Sequence, residues 1–242
     1  MTPSSSVTPR GQKPRAVICD LDDTLYPERE YVRGGFRAVS AWAQEHVGIP
    51  ADEGFQELEV LFEQGVRGDT FDHWLRTRQQ PLNSWVDDMV RIYRAHVPDI
   101  HTYPDVRPAL EALPAGTRLG LVTDGYADVQ RRKLAALPEL GDLFDIVVVS
   151  DELGRDAWKP SPRAFQAALL ALSVRAADTV YVADNPAKDF IGARRLGIST
   201  IRIRRADGLY RRVEAPTAEH APDTEIAGLD ELASALLQLQ RR

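Results

Sequence analysis

Six short apolar runs, spaced so that helical stretches fit between them, constrain this chain's fold more than any other feature. The runs are RAVICDL at 15–21, RLGLVTD at 118–124, FDIVVVS at 144–150, TVYVAD at 179–184, STIRIRR at 199–205 and, more weakly, TEIAGL at 224–229. Rich in Val and Ile, they read as strands buried on both faces of a parallel sheet. DVRPALEAL, ADVQRRKLAAL, SPRAFQAALLAL, AKDFIGARRLG and the terminal LDELASALLQLQR carry apolar residues at helical spacing. Ser161 then Pro162 reads as an N-cap with proline in the first turn, and Gly197 as a helix stop. Such alternation predicts an α/β fold with a doubly wound, mainly parallel sheet.

The first run breaks the alternation, because nothing strand-like occurs between about Tyr26 and Tyr103. Helices are predicted there at about 30–47, 53–65, 70–79 and 83–96, with Gly34-Gly35, Gly48-Ile49-Pro50 and Gly65 to Gly68 as interruptions. The expected organisation is a disordered arm at 1–14, a core formed by 15–26 and 103–242, and an inserted all-helical cap domain at 27–102. Pro27 and Pro104 mark the crossings as candidate hinges. With 242 residues and 43% hydrophobic content, the chain can bury a core unaided.

The formal charge of −6 argues against tracking of phosphate backbones, so no nucleic-acid partner is expected. Cys19 is the only cysteine, which excludes an internal disulfide. The opening MTPSSSVTPRGQKP lacks an apolar signal region, and no run approaches the roughly 18 apolar residues of a membrane span. A cytoplasmic protein without a membrane partner, monomeric or homodimeric, is the expectation.

Open parallel sheets bind ligands beyond the carboxyl ends of their strands. At those ends this sequence carries polar groups: Asp20-Leu21-Asp22-Asp23-Thr24 after the first run, Thr123-Asp124-Gly125 after the second, Trp158-Lys159-Pro160 beyond the third, and Asp184 with Asp189 after the fourth. Asp20, Asp22 and Asp184 brought together would repel by about 4 kcal/mol per pair at ~4 Å and an effective dielectric near ~20, so a cation must sit among them. Hard oxygen ligands in a compact site favour Mg²⁺, an ion that keeps waters and engages substrate phosphate. Lys159 offers a point charge and Thr123 a hydroxyl for the same anion.

These residues resemble the haloacid dehalogenase superfamily, with its Rossmann-like core and a helical cap inserted after the first motif. Its members show D-x-D-x-T after the first strand, Ser or Thr after the second, a distant Lys, and a late acidic pair. Asp20 to Thr24, Thr123, Lys159 in WKPSPRAF, and Asp184 with Asp189 in VADNPAKDFIGARRLG match in order, from about Arg15 to the last helix. Ala183 stands where many members have Gly.

The resemblance implies a Mg²⁺-dependent phosphomonoester hydrolase acting on a small phosphorylated substrate, a sugar phosphate or nucleoside monophosphate. Asp20 would be the nucleophile that forms an aspartyl-phosphate, and Asp22, two residues on along the same face, the acid and base. Mg²⁺ would be held by the Asp20 and Asp184 carboxylates and the Asp22 backbone carbonyl. Thr123, the Asp124 amide and Lys159 would bind phosphate, with Asp189 behind the ligands orienting a metal-bound water or Lys159, and Thr24 buttressing the loop.

Competing readings are a dehalogenase, a sugar phosphomutase, a response-regulator receiver and a non-catalytic binding module on the same fold. Asp22 argues against the dehalogenase, because halide leaves unprotonated. Length and the helical insert argue against the receiver. His46, His73, His96, His101 and His220 show no zinc-binding spacing. Trp42, Trp74 and Trp85 read as core of the insert, and Cys19 as core packing. Asp23 reads as a solvated turn residue. Arg131 to Lys133, and Arg202, Arg204 and Arg205, read as solvated faces, and Arg29, Arg33 and Arg37 as exposed helix charge rather than a second anion site.

Overall fold

All four residues of strand β1 (Ala16–Cys19) are buried apolar residues, which requires neighbours on both edges and cover on both faces. The computed structural model, which describes residues 13–82 and 85–241, supplies them. β1 pairs in parallel with β2 (Arg118–Thr123) on one side. β2 then pairs with β3 (Ile146–Val149). On its other side β1 pairs with β4 (Thr179–Ala183), followed by β5 (Ser199–Ile203) and β6 (Thr224–Ile226). The order β3-β2-β1-β4-β5-β6 is parallel throughout. Strand order reverses between β1 and β4, so their carboxyl ends flank the crevice where such sheets take ligands. Edge strand β3 is only half-buried over most of its length.

The contacts of the chain divide it into two units, one comprising 28–101 with 131–136 and the other the rest. The first unit contains α1 (Glu28–His46), α2 (Ala51–Glu63), α3 (Thr70–Thr77) and α4 (Trp85–Ala95). Phe36 sits at their centre, edge-on to Phe62 and Phe71 at ring-centroid distances of 6.0 and 6.3 Å. Gly34 and Gly35 lie inside α1 and do not interrupt it. A Cβ on Gly35 would stand 2.4 Å from the Tyr93 ring, so glycine is needed for that approach. Of the three tryptophans only Trp74 is fully buried; Trp42 stacks on His46 at 4.6 Å. Arg29 pairs with Glu63, Arg33 with Glu59, and Arg37 lies over the Phe55 ring. Lys133 departs from the solvated reading: it is buried, 4.4 Å from the Tyr31 ring.

The sheet unit also carries α5 (Val106–Glu111), the first four residues of α6 (Ala127–Ala136), whose remainder belongs to the helical unit, and α7 (Arg163–Leu172), α8 (Asp189–Arg195) and α9 (Leu232–Leu239). Phe165, Ala168 and Leu172 of α7 pack on Ile18, Val122 and Tyr181, with Phe165 and Tyr181 edge to face at 4.7 Å. Emptying the Phe165 position would cost about 3–5 kcal/mol. α7 starts one residue later than expected: Pro162 is its cap, and Ser161 Oγ accepts from Arg163 N.

The predicted arm at 1–14 falls largely outside the described residues, as do the first two of the expected fourth helix, 83–84. Among the described residues, no helix is long and apolar enough to cross a membrane.

Candidate active site

Asp20 follows β1 directly and is anchored by its amide, which donates to the Val182 carbonyl on β4 at 2.9 Å. Its carboxylate is buried, and Lys159 reaches it: Nζ donates to Asp20 Oδ1 at 2.6 Å and the Tyr181 hydroxyl at 2.9 Å, and bridges to Asp189 Oδ1 at 2.8 Å. Three partners match the three donors of an ammonium group. Gly192 permits the arrangement, since a Cβ there would lie 2.6 Å from the Pro160 carbonyl and push α8 off the loop that carries Lys159.

Asp20, Asp184 and Asp189 each present a carboxylate oxygen within 4.8 Å of the others, and all three are buried. Oxygen-only donors suit a hard divalent cation. Asp189, expected behind the ligands to orient a metal-bound water or Lys159, bridges to Lys159 and also brings an oxygen close to those of Asp20 and Asp184, because the first turn of α8 points its side chain back: Oδ2 accepts from Asn185 N at 2.9 Å. Asp22, grouped with these acids in the sequence, is not part of this set of three; its carboxylate accepts from Tyr26 OH and from Gln130 Nε2 at 3.0 Å, and its charge still acts on Asp20.

Burial pushes the Asp20 carboxyl up to about 7, with Lys159 pulling the other way. Burial alone would push Lys159 down, but the Asp189 and Asp20 carboxylates outweigh it and hold the ammonium well above its ordinary range. Cys19, next to Asp20, is pushed up to about 12 by burial and by that neighbour, which makes it an inert thiol.

Thr123 ends β2, and its Oγ1 accepts from Gln130 Nε2 at 2.5 Å. The Asp124 carboxylate is occupied: Ser150 Oγ donates to it at 2.6 Å, Lys159 N at 3.0 and 3.3 Å, and Lys188 Nζ stands 3.6 Å away. Lys188, held protonated by Asp189, Asp20 and Asp124 against the opposing effects of burial and Lys159, is a second site cation.

Two further expectations change. Thr24 is buried, and its carbonyl rather than its hydroxyl does the bracing, by accepting from Arg205 Nη2 at 3.0 Å. Asp23 is no solvated turn residue; it is 1% exposed at φ +51°, and Oδ2 accepts from Leu209 N at 2.7 Å.

The family model for haloacid dehalogenase-like hydrolases matches residues 14–197, which include every group described above except Arg205 and Leu209. The chain belongs to the haloacid dehalogenase-like hydrolases. A glyceraldehyde 3-phosphate phosphatase of Methanopyrus kandleri is 36% identical over 236 residues, 94% of this chain and 99% of the relative. The crystal structure of a phosphatase of this family from Thermococcus onnurineus superposes with a TM-score of 0.62 at 27% identity, covering 92% of this hydrolase and 97% of that chain. A 2-haloacid dehalogenase from Pseudomonas syringae pv. Tomato superposes with a TM-score of 0.60 at 26% identity, covering 93% and 98%.

Sequence reasoning missed Gln130, Tyr26, Ser150 and Lys188. Lys188 alone carried a signal, a cation between Asp184 and Asp189 on one short segment.

Proposed function

We propose that this hydrolase is a Mg²⁺-dependent phosphatase that frees phosphate from a small phosphorylated metabolite through an aspartyl-phosphate on Asp20. The observation that carries the reading is the convergence of Asp20, Asp184 and Asp189 around Lys159. A buried, oxygen-only acid set of this kind, held against its own repulsion, fits a divalent cation bound by Asp20 and Asp184. Mg²⁺ there supplies positive charge that offsets repulsion between a carboxylate nucleophile and a phosphate dianion.

Asp20 attacks phosphorus in line, and Lys159 favours its ionised form against burial. Asp22 protonates the departing alkoxide and then takes a proton from the attacking water. Gln130 and Tyr26 orient it, one on each carboxylate oxygen, so one of these two bonds opens when Asp22 acts as donor. Thr123, which accepts from Gln130, retains its own O–H for a phosphoryl oxygen. The Asp124 amide supplies another donor, while its carboxylate is turned to Lys159 N, Ser150 and Lys188.

The dehalogenase reading, which the Pseudomonas structure invites, leaves Asp22 without a task. The name of the Methanopyrus relative supports starting from glyceraldehyde 3-phosphate. The test is phosphate release from triose phosphates, sugar phosphates, phosphoserine and nucleoside monophosphates, with Mg²⁺ or chelator. Release with Mg²⁺ and none with chelator is expected. Turnover indifferent to chelation overturns the metal assignment, and an isomerised product without free phosphate marks a mutase.

A further inference from the structure

Arg202 lies on β5 between Ile201 and Ile203, beside Ala183 of β4, and is 1% exposed. A guanidinium stays charged in proteins and is costly to bury unless hydrogen-bonded. Three of its contacts are to backbone carbonyls, Nε donating to Asp184 O at 3.1 Å and Nη2 to Tyr210 O and Val213 O, each at 2.8 Å, while Nη1 stands 3.5 Å from the Glu225 carboxylate on β6. Arg205, also buried, donates through Nη2 to Thr24 O and through Nη1 to Asp105 Oδ2 at 2.6 Å, with its guanidinium 3.9 Å from the Tyr103 ring centre. Neither is the solvated charge that a run of arginines suggests. Leu209 N, bonded to Asp23, gives the same 206–213 segment a third tie.

The ties are not scattered. Three of them end on the residues that follow β1 and β4, the two strands whose loops carry Asp20 and Asp184: Arg202 on Asp184 O, Arg205 on Thr24 O and Leu209 N on Asp23. Without a cation those acids repel, and the repulsion acts to spread the two loops. We propose that Arg202 and Arg205 are positioning residues that, with Asp23, make the 206–213 segment a clasp between the two acid-bearing loops, and so set the affinity of the site for its divalent cation. The proposal rests on the metal reading above. It also demands arginine: the planar fork reaches the Asp184 carbonyl and the Tyr210 and Val213 carbonyls at once, whereas a lysine ammonium is a point charge.

The test is calorimetric titration of Mg²⁺ into wild type, Arg202→Met, Arg202→Lys, Arg205→Lys and Arg212→Ala, with the metal-free melting temperature of each. Both Arg202 variants should bind Mg²⁺ about 10–100-fold more weakly, the usual effect of removing a group behind metal ligands. Their kcat should recover at saturating Mg²⁺, Arg205→Lys should weaken binding in the same direction, and exposed Arg212→Ala should match wild type. Should Arg202→Met fail to fold, Arg202→Lys, which keeps charge and bulk, carries the comparison. A lowered melting temperature with wild-type Mg²⁺ affinity in the folded variants makes the arginines structural only and overturns the proposal. Wild type that binds no Mg²⁺ overturns the metal reading and this inference together, so the two failures are distinct.

Discussion

In the helical unit cations meet carboxylates at the surface: Arg33 binds Glu59 at 2.8 Å with 42% and 30% of the two side chains exposed, and Arg78 spans both oxygens of Glu57 at 2.8 Å. In the sheet unit Lys159 meets Asp20 and Asp189 at similar distances with none of the lysine side chain exposed. The carboxylates respond in opposite directions. The Arg78 hydrogen bond holds Glu57 below its ordinary range, whereas burial holds Asp20 above it although Lys159 is closer. Distance to a cation therefore does not decide the state of an acid; desolvation does. Exposed pairs contribute at most about 1 kcal/mol each, and a buried cluster leaves a group that binds a proton or a metal near neutral pH.

The contrast can be broken most severely at Asp20. Asp20→Asn keeps the shape and removes the nucleophile, so phosphate release should fall on the order of 10⁴-fold or more while circular dichroism stays unchanged; retained turnover would place the nucleophile elsewhere. Lys159→Met strands two buried carboxylates and should cost about 3–5 kcal/mol in denaturant unfolding, with part regained on adding Mg²⁺. A change below 1 kcal/mol would mean that the cluster is not desolvated as described.

A third effect is a pH dependence. Proton and cation compete for the Asp20 carboxylate, whose pKa burial raises to about 7, so calorimetric Mg²⁺ affinity should fall as pH drops through that value and level off above it. Affinity flat from pH 8 to about 5.5 would remove Asp20 from the ligands. The smallest effect belongs to the surface pair: Glu59→Gln should shift stability by no more than about 1 kcal/mol, vanishing in high salt.

Much of the fold was legible because strands buried on both faces leave an unmistakable apolar signature, and the strands of the sheet follow from it. The identity of the acid cluster was less so. Asp189 joins Asp20 and Asp184 because the first turn of α8 points it back, a direction that linear spacing from Asp184 does not convey. Asp22 finds Gln130, 108 residues away, only once β1 and β2 are paired. Arg202 was misread because a run of arginines looks solvated. Its position between Ile201 and Ile203 on a strand with neighbours on both edges was the contrary signal. Gly34 and Gly35 looked like a helix break because glycine marks loops, whereas here the missing side chains make room for aromatic rings.

The central claim is that Asp20, among the acids gathered at this site, takes the phosphoryl group. Rapid acid quench of Asp22→Asn during turnover of an aryl phosphate, whose leaving group needs no proton, with Mg²⁺, followed by mass spectrometry of the peptide spanning β1, tests it most directly, since loss of the base should then let the intermediate accumulate. A single added phosphoryl group on Asp20, absent in Asp20→Asn, is the predicted result; an unmodified peptide while phosphate is still being released would contradict it.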